Sequence, residues 1–253
     1  MSQATIDRVA CWVSEGVLSE EAGRALAQWL SEPDYADFVP EIEALVLGED
    51  LDELEDAFRT QLEFGTGGIR GKMGPGPNRI NPRTIGAAAQ GLARYIQKSG
   101  GTRLAEGGVA IAFDTRANSE RFARETAAIL AGNGVVSHIF PGCRSTPELS
   151  FAVRELGAAA GVVISASHNP PTDNGFKAYW TDGGQVVPPH DRNVIAEVQA
   201  VDRIDRADYE QAASKGTIRV LGAEIDRAYH EWLAGISLSD ERDVCIVYTP
   251  LHG

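Results

Sequence analysis

Ser167 lies in a segment whose residue types could handle a phosphoryl group. It is part of the turn Ser165–Pro170, directly after a run of small and apolar residues, and Lys177 follows ten residues later. A serine in such a turn can be a nucleophile if a neighbouring group activates it and a cation neutralises the charge that develops. His168 and Asn169, the next two residues, can supply hydrogen bonds. These side chains together suit nucleophilic chemistry at phosphorus.

Arg70 lies in a second such segment, the glycine-rich stretch Phe64–Gly71. A planar guanidinium binds two phosphate oxygens at once, and glycines let backbone N–H groups approach the same anion closely. A third segment, Asp114-Thr-Arg116, places an acid and a base two residues apart after an apolar run. All three segments fit a site for a phosphorylated small molecule.

Each motif also has a simpler interpretation when taken alone. A serine followed by a histidine is often a surface turn, because adjacent residues do not form a catalytic triad. The glycines of 65–71 match neither GxGxxG nor GxxxxGK[ST]. Asp114 and Arg116 could simply form an ion pair within a local turn. The individual motifs therefore leave catalysis and ordinary turn structure both open.

The elements around these motifs alternate between strand and helix. The pattern predicts strands over 107–113, 135–140 and 159–165, and helices over 118–131 and 146–156, the last with Thr146 as its N-cap. Such alternation predicts an α/β domain with a mixed, mostly parallel sheet and helices on both faces. Ligands in these folds bind at the carboxyl ends of strands. Both Asp114–Arg116 and Ser165–Pro170 are expected at such ends.

The flanking regions predict two further parts. Residues 1–63 have the apolar spacing and helix starts of a helical extension, for example Ser19 before two glutamates and Asp50 three residues before Glu53. After residue 210, a strand over 217–221, a helix over 223–233 and a strand over 243–248 resemble the start of a second α/β domain. We therefore expect a helical extension (1–63), a complete α/β domain (64–210) and a truncated second domain (211–253).

Charge and composition exclude several classes of function. The formal net charge of −13 and the pI near 4.8 argue against nucleic acid and acidic membrane surfaces as partners. Residues 64–180 nevertheless carry 13 basic and 7 acidic residues, a net of +6. The three cysteines lie far apart without CxxC spacing, and neither a secretory signal nor a long apolar run is visible. We expect a cytoplasmic protein that binds a small anionic ligand.

Taken together, the motifs are specific. The set FGTGGIRG, FDTR, SASHNP and NGFK, in this order and spacing, resembles the phosphohexomutase superfamily of phosphoglucomutases and phosphomannomutases. The longer stretch FGTGGIRGKMGPGPNRIN and the terminal YTPLHG are most similar to the larger phosphoglucomutase and phosphopentomutase-type branch. The resemblance covers roughly residues 50–253. It implies an isomerase, more closely an intramolecular phosphotransferase that moves phosphate between O1 and O6 of a hexose through a bisphosphate.

The resemblance also implies roles for individual residues. Ser167 would carry the transferable phosphoryl group and, through that phosphate, provide one ligand of Mg²⁺. Lys177 and Arg70 would assist proton transfer and stabilise charge, and a lysine near an arginine and a metal should have a depressed pKa. His168 and Asn169 would shape the serine loop. Thr66 and Gly67 would support Arg70, and Asp114 and Arg116 would hold Arg70 in place. Glucose 1,6-bisphosphate would be the activator.

One departure from the family pattern qualifies these expectations. Family members are commonly four-domain proteins, and their aspartate-rich Mg²⁺ loop, of DGDxDR type, has no counterpart in this sequence. We therefore expect the 253-residue chain alone to have little or no mutase activity, with the other Mg²⁺ ligands in a missing C-terminal part. Glucose 1-phosphate is the favoured substrate. Phosphomannomutase or phosphopentomutase specificity, a non-catalytic sugar-phosphate-binding module, and a phosphatase that uses a serine phosphate are the alternatives.

Overall fold

A computed structural model describes residues 3–65, 67–241 and 243–249. The chain divides into two compact units, one formed by residues 1–63 with 70–84 and the other by residues 64–69 with 85–253. The boundaries expected at residues 63 and 210 stay predictions. No helix among the described residues combines the length and the apolar character needed to cross a membrane.

The first unit is helical, as its apolar spacing predicts. Its elements are α1 (Gln3–Ser14), α2 (Glu20–Ser31), a 3₁₀ helix (Pro33–Phe38), α3 (Val39–Leu47) and α4 (Leu51–Phe58). The two predicted helix starts are confirmed, because the Ser19 side chain accepts from the Ala22 N–H and the Asp50 side chain from the Glu53 N–H. These bonds satisfy amides that have no partner within the first helical turn. The core contains a stacked pair of rings, Trp29 and Tyr35, 4.5 Å apart.

Buried charge fixes the 70–84 segment to α4 within this unit. The Arg79 side chain is only 3% exposed and donates from Nε to Glu53 at 3.0 Å and from Nη2 to Asp56 at 2.5 Å. Lys72 donates to the second oxygen of Glu53 at 2.5 Å. A buried guanidinium is stable only when it is paired in this way. The segment that carries Arg70 is therefore attached to the acidic helices by ion pairs.

The second unit is the predicted α/β domain. Its strands are β1 (Gly68–Lys72, of which Gly68 and Ile69 belong to this unit), β2 (Val109–Phe113), β3 (Ser137–Ile139), β4 (Ala160–Ile164), β5 (Asp173–Tyr179) and β6 (Ile218–Val220). Its helices are α5 (Pro82–Gly107, which begins in the first unit), α6 (Ser119–Gly132), α7 (Thr146–Glu155), α8 (His190–Gln199), α9 (Tyr209–Ser214) and α10 (Ala223–Gly235).

The sheet is mixed and mostly parallel, with strand order β1-β5-β4-β2-β3-β6. The pairs β2–β3, β2–β4 and β3–β6 are parallel, and β4–β5 is antiparallel. Ala110 and Ala112 pack with α7 on one face. Ser137, in register with Val109 on the other face, bonds to the carbonyl of Ala127 in α6. The prediction of helices on both faces is confirmed.

Two local predictions differ from the structure. The N-cap of α7 is Ser145, whose side chain accepts from the Glu148 N–H, so that Thr146 is already helical. Residues 243–248 form no strand among the described residues; Val247, for example, is 96% exposed. A strand-like segment without a ladder partner among the described residues is not stable as a strand, which explains this difference. In the segment after residue 210, β6 lies beside β3 and α10 packs against α7. Its assignment to a second domain stays a prediction.

Candidate functional site

The expected convergence of two motifs at one sheet edge is confirmed. β2 and β4 are parallel neighbours with Phe113 opposite Ile164, so the chain leaves both strands at the same edge. β3 lies on the other side of β2, and the order of connection therefore reverses between β2 and β4. Such a reversal opens a crevice outside the strand ends. Asp114–Arg116 and Ser165–Pro170 both lie at this edge.

Arg116 holds the serine loop by its backbone. Its Nη2 donates to the carbonyl oxygens of Ser167 at 2.6 Å and Asn169 at 2.7 Å. Its Nη1 donates to those of Pro170 at 2.6 Å and Asp173 at 3.1 Å. Hydrogen bonds from a charged donor are the stronger kind, and a guanidinium fork can make several in one plane. One buried arginine thus binds four carbonyl groups of the loop.

Asp114 holds that arginine in turn. Its Oδ2 lies 3.2 Å from the Arg116 Nε, and its Oδ1 accepts from the Arg116 backbone N–H at 3.0 Å. The side chains of Arg116 and Asp114 are 2% and 9% exposed, so the ion pair is largely shielded from water. The resemblance assigned these two residues to Arg70. The contacts described above are made to the Ser167 loop, and the expected support of Arg70 stays a prediction.

Ser167 is exposed at the top of this loop and has a left-handed backbone, with φ +58°. Its N–H donates to the Ser165 hydroxyl at 2.9 Å. A positive φ is uncommon for a residue other than glycine and persists where the surroundings fix it. The hydrogen bonds of Arg116 and Ser165 are those surroundings, and they leave the Ser167 side chain in contact with solvent.

The two residues that follow Ser167, His168 and Asn169, differ in burial and in hydrogen bonding. His168 is exposed. Asn169 is half-buried, and its Nδ2 donates to the Asp173 carboxylate at 2.8 Å, which closes the loop internally. The functional roles expected of Asn169 and His168 stay predictions.

Lys177 lies on β5, and the glycine-rich loop contacts the same strand through Gly67. Lys177 is half-buried on β5 and lies opposite Val163 of β4, the strand that leads into the Ser167 loop. The next residue, Ala178, donates from its N–H to the Gly67 carbonyl at 2.9 Å. A Cβ added at Gly67 would lie 2.4 Å from the Gln185 amide, so the backbone of the glycine loop and this side chain are in close contact.

The roles expected of Arg70 and Thr66 are not tested by these contacts. Arg70 is exposed on β1 and belongs to the first unit with residues 71–84. Thr66 lies outside the described residues. Their expected roles beside the serine stay predictions.

The residues that sequence reasoning missed are Ser119 and Asn174. Both side chains are fully buried at the same edge of the sheet. Asn174 belongs to the NGFK motif, which could have drawn attention to it. Ser119 looks like an ordinary helix start, and no sequence signal distinguishes it.

The described residues do not form a metal centre of their own. No group of three or more His, Cys, Asp or Glu side chains among them is placed to hold a metal ion. Ser167 could contribute an oxygen only through a bound phosphate. The expected Mg²⁺ therefore stays a prediction.

Known proteins share this architecture and sequence. A crystal structure from Thermus thermophilus, described as a putative phosphomannomutase, is 30% identical in sequence to this chain and superposes on it with a TM-score of 0.58. The match covers 70% of this chain and 36% of the Thermus chain. A phosphoglucomutase from Staphylococcus saprophyticus is 36% identical over 80% of this chain, and human phosphopentomutase 34% over 90%. The chain spans only 37% and 39% of these two relatives.

The family model described as the alpha/beta/alpha domain I of phosphoglucomutase/phosphomannomutase matches residues 61–205. This range includes the glycine-rich loop, the Asp114–Arg116 motif, the serine loop and the NGFK motif. The chain therefore belongs to the phosphoglucomutase/phosphomannomutase family.

Proposed function

We propose that this chain carries the phosphoryl-bearing serine of a phosphosugar mutase, and that the residue is Ser167. The observation that supports this most directly is the exposed, left-handed Ser167 in a loop whose carbonyls are bound by a buried arginine. Fixing the nucleophile in advance lowers the entropy that the reaction must lose. Most phosphoryl transfer relies on such positioning and on nearby positive charge.

The proposed transfer exchanges one P–O bond for another. A hydroxyl oxygen of the bound sugar phosphate forms a bond to the phosphorus on Ser167, and the bond from phosphorus to Ser167 Oγ breaks. The proton of the attacking hydroxyl passes to Lys177 Nζ and from there to the departing Oγ. The resulting bisphosphate then returns its other phosphoryl group to Ser167 by the reverse step. Arg70 would balance the negative charge of the transferring group.

For the substrate, we propose glucose 1-phosphate and its conversion to glucose 6-phosphate through a bisphosphate, with glucose 1,6-bisphosphate as activator. The relative named phosphoglucomutase supports this choice. The relative named phosphopentomutase supports a pentose phosphate as the second candidate. Comparing kcat/KM for glucose 1-phosphate, mannose 1-phosphate and ribose 1-phosphate would decide between the sugars, because the ratio of two kcat/KM values measures how strongly an enzyme discriminates between two substrates.

The test of Ser167 uses the protein expressed from its complete gene. Incubation with glucose 1,6-bisphosphate should add one phosphoryl group, located at Ser167 by peptide mass analysis. Ser167→Ala should abolish both this label and glucose 1-phosphate conversion. Thr172→Ala is the matched control, since Thr172 is an exposed hydroxyl in the same loop, and it should keep both. Unchanged labelling and conversion in Ser167→Ala would refute the proposal.

Two further expectations are tested in the same preparation. Dependence of conversion on added Mg²⁺ would support the metal, and full activity after chelation would exclude it. That the 253-residue chain by itself has little activity is also a prediction. Mutase turnover by this polypeptide alone would show that prediction to be wrong.

A further inference from the structure

A chain of buried polar groups connects β5 with the arginine that holds the serine loop. Asn174, in β5, donates from Nδ2 to the Ser119 hydroxyl at 2.9 Å and to the Ala117 carbonyl at 3.1 Å. The Ser119 hydroxyl donates to the Asp114 carboxylate at 2.6 Å. Asp114 pairs with Arg116, which binds the loop carbonyls. Asn174 and Ser119 are both fully buried.

Each hydrogen bond in this chain has a defined direction. The Oδ1 atom of Asn174 accepts from the Gly175 N–H at 2.8 Å, which orients the amide and points its NH₂ group at Ser119. The Ser119 hydroxyl has one proton, and since it accepts from Asn174 it gives that proton to Asp114. Directed hydrogen bonds between buried groups restrict the side chains that make them. The contacts therefore limit the conformations of the Asn174 and Ser119 side chains.

The two ends of the network are connected through the backbone to the proposed reacting groups. Lys177 follows Asn174 by three residues on the same strand, and Ser167 is bound by Arg116 through its carbonyl. A change at Ser119 or Asn174 would thus alter how firmly the serine loop and the lysine strand are fixed to each other. Neither residue touches solvent, so neither can contact a substrate.

We propose that Ser119 and Asn174 are positioning residues for phosphoryl transfer, which fix the loop of Ser167 to the strand of Lys177 through Asp114 and Arg116. The proposal rests on the function proposed above. It predicts that their loss slows the chemical step and leaves sugar-phosphate affinity nearly unchanged.

The experiment measures the single-turnover rate of Ser167 phosphorylation by glucose 1,6-bisphosphate, together with kcat and KM. Ser119→Ala should lower the phosphorylation rate and kcat about 10-fold or more, as expected for a hydrogen bond to a carboxylate, with KM within about 2-fold. Ser137→Ala is the matched control. Ser137 is also a fully buried serine of this domain, but its hydroxyl bonds to the Ala127 carbonyl at 3.4 Å, away from the serine loop.

A double-mutant cycle separates positioning from general loss of stability. Ser119→Ala and Arg116→Lys should be less than additive in the phosphorylation rate because they interrupt one network, whereas Ser137→Ala and Arg116→Lys should be additive. Ser119→Thr, which keeps the hydroxyl, should recover part of the rate. If Ser119→Ala does not fold, Asn174→Ala is measured against Ser137→Ala in the same way.

The outcomes distinguish the two proposals. If the wild type is labelled at Ser167 but Ser119→Ala and Ser137→Ala change the rate equally, the positioning role is wrong and the phosphoserine stands. Additivity of Ser119→Ala with Arg116→Lys would also overturn the positioning role. If the wild type takes no phosphoryl group on Ser167, the proposed function fails, and the role of Ser119 and Asn174 fails with it.

Discussion

Arg116→Lys is the substitution that tests the architecture of the site most directly. The variant keeps the positive charge beside Asp114 but replaces a five-donor fork with a single ammonium group. Arg116 donates to four loop carbonyls between 2.6 and 3.1 Å. A lysine at the same position cannot reach both pairs of carbonyls, so at least two of these bonds are lost.

The expected magnitude follows from those two bonds. A hydrogen bond from a charged donor contributes about 1.5–3 kcal/mol. Ser167 and Pro170 are exposed, so water can replace part of what is lost and the lower value applies to each bond. Two bonds at about 1.5 kcal/mol give about 3 kcal/mol. If this free energy holds Ser167 in its reactive conformation, phosphorylation should slow by about 100-fold.

Two assays check this result. Single-turnover phosphorylation by glucose 1,6-bisphosphate measures the chemical effect, and amide hydrogen exchange over residues 165–175 measures the opening of the loop. Arg154→Lys is the control, because Arg154 is an exposed arginine of α7 whose side chain bonds to the Ser150 hydroxyl at 2.9 Å. The control should match the wild type in both assays. A phosphorylation rate and a loop exchange rate in Arg116→Lys equal to those of the wild type would refute the reasoning.

Two further predictions concern the supports of the site. Gly68→Ala should lower the free energy of unfolding by more than about 3 kcal/mol in thermal or urea unfolding, because the added Cβ would lie 1.9 Å from the Phe176 carbonyl oxygen. Gly216→Ala is the control and should cost less, because the space around Gly216 is open. Burial alone would raise the pKa of Glu53, but hydrogen bonds from Arg79 and Lys72 lower the pKa below its ordinary value. The stability lost in Glu53→Gln, about 1–2 kcal/mol, should therefore be seen in full above pH 4.5, the ordinary value for a glutamate, and should disappear as the pH falls through the lowered pKa of the folded protein. A pH-independent difference would contradict the ion-pair explanation.

The parts of the fold that could be predicted from sequence are those whose signal is local. β2 and β4 are continuous apolar runs, which is the pattern of a strand buried on both faces. The caps at Ser19 and Asp50 need only three neighbouring residues. β5 was not predicted, because its sequence DNGFKAY begins with polar residues. The NH₂ group of the buried Asn174 finds its partners outside the strand, at the Ala117 carbonyl and the Ser119 hydroxyl.

The site divides in the same way. Ser167, Lys177 and Arg116 could be selected by residue type and spacing, and the meeting of two motifs at one sheet edge followed from strand alternation. The target of Arg116 could not be predicted, because its four acceptors are backbone carbonyls more than 50 residues away, and every residue has such a group. Ser119 was missed for a similar reason, since its partner Asn174 lies 55 residues further along the chain.

The attachment of the Ser167 loop also determines which of its side chains are available for a reaction. Arg116 binds carbonyl oxygens, so the side chains of Ser167 and His168 take no part in this attachment and remain exposed. The cost of a positive φ at Ser167, about 1–3 kcal/mol for a residue other than glycine, is offset by charged hydrogen bonds of similar size. A loop attached through side chains would lose this freedom, because each anchoring side chain would be unavailable to a phosphoryl group. Backbone attachment to a buried arginine therefore explains how a strained and exposed serine can be both rigid and accessible.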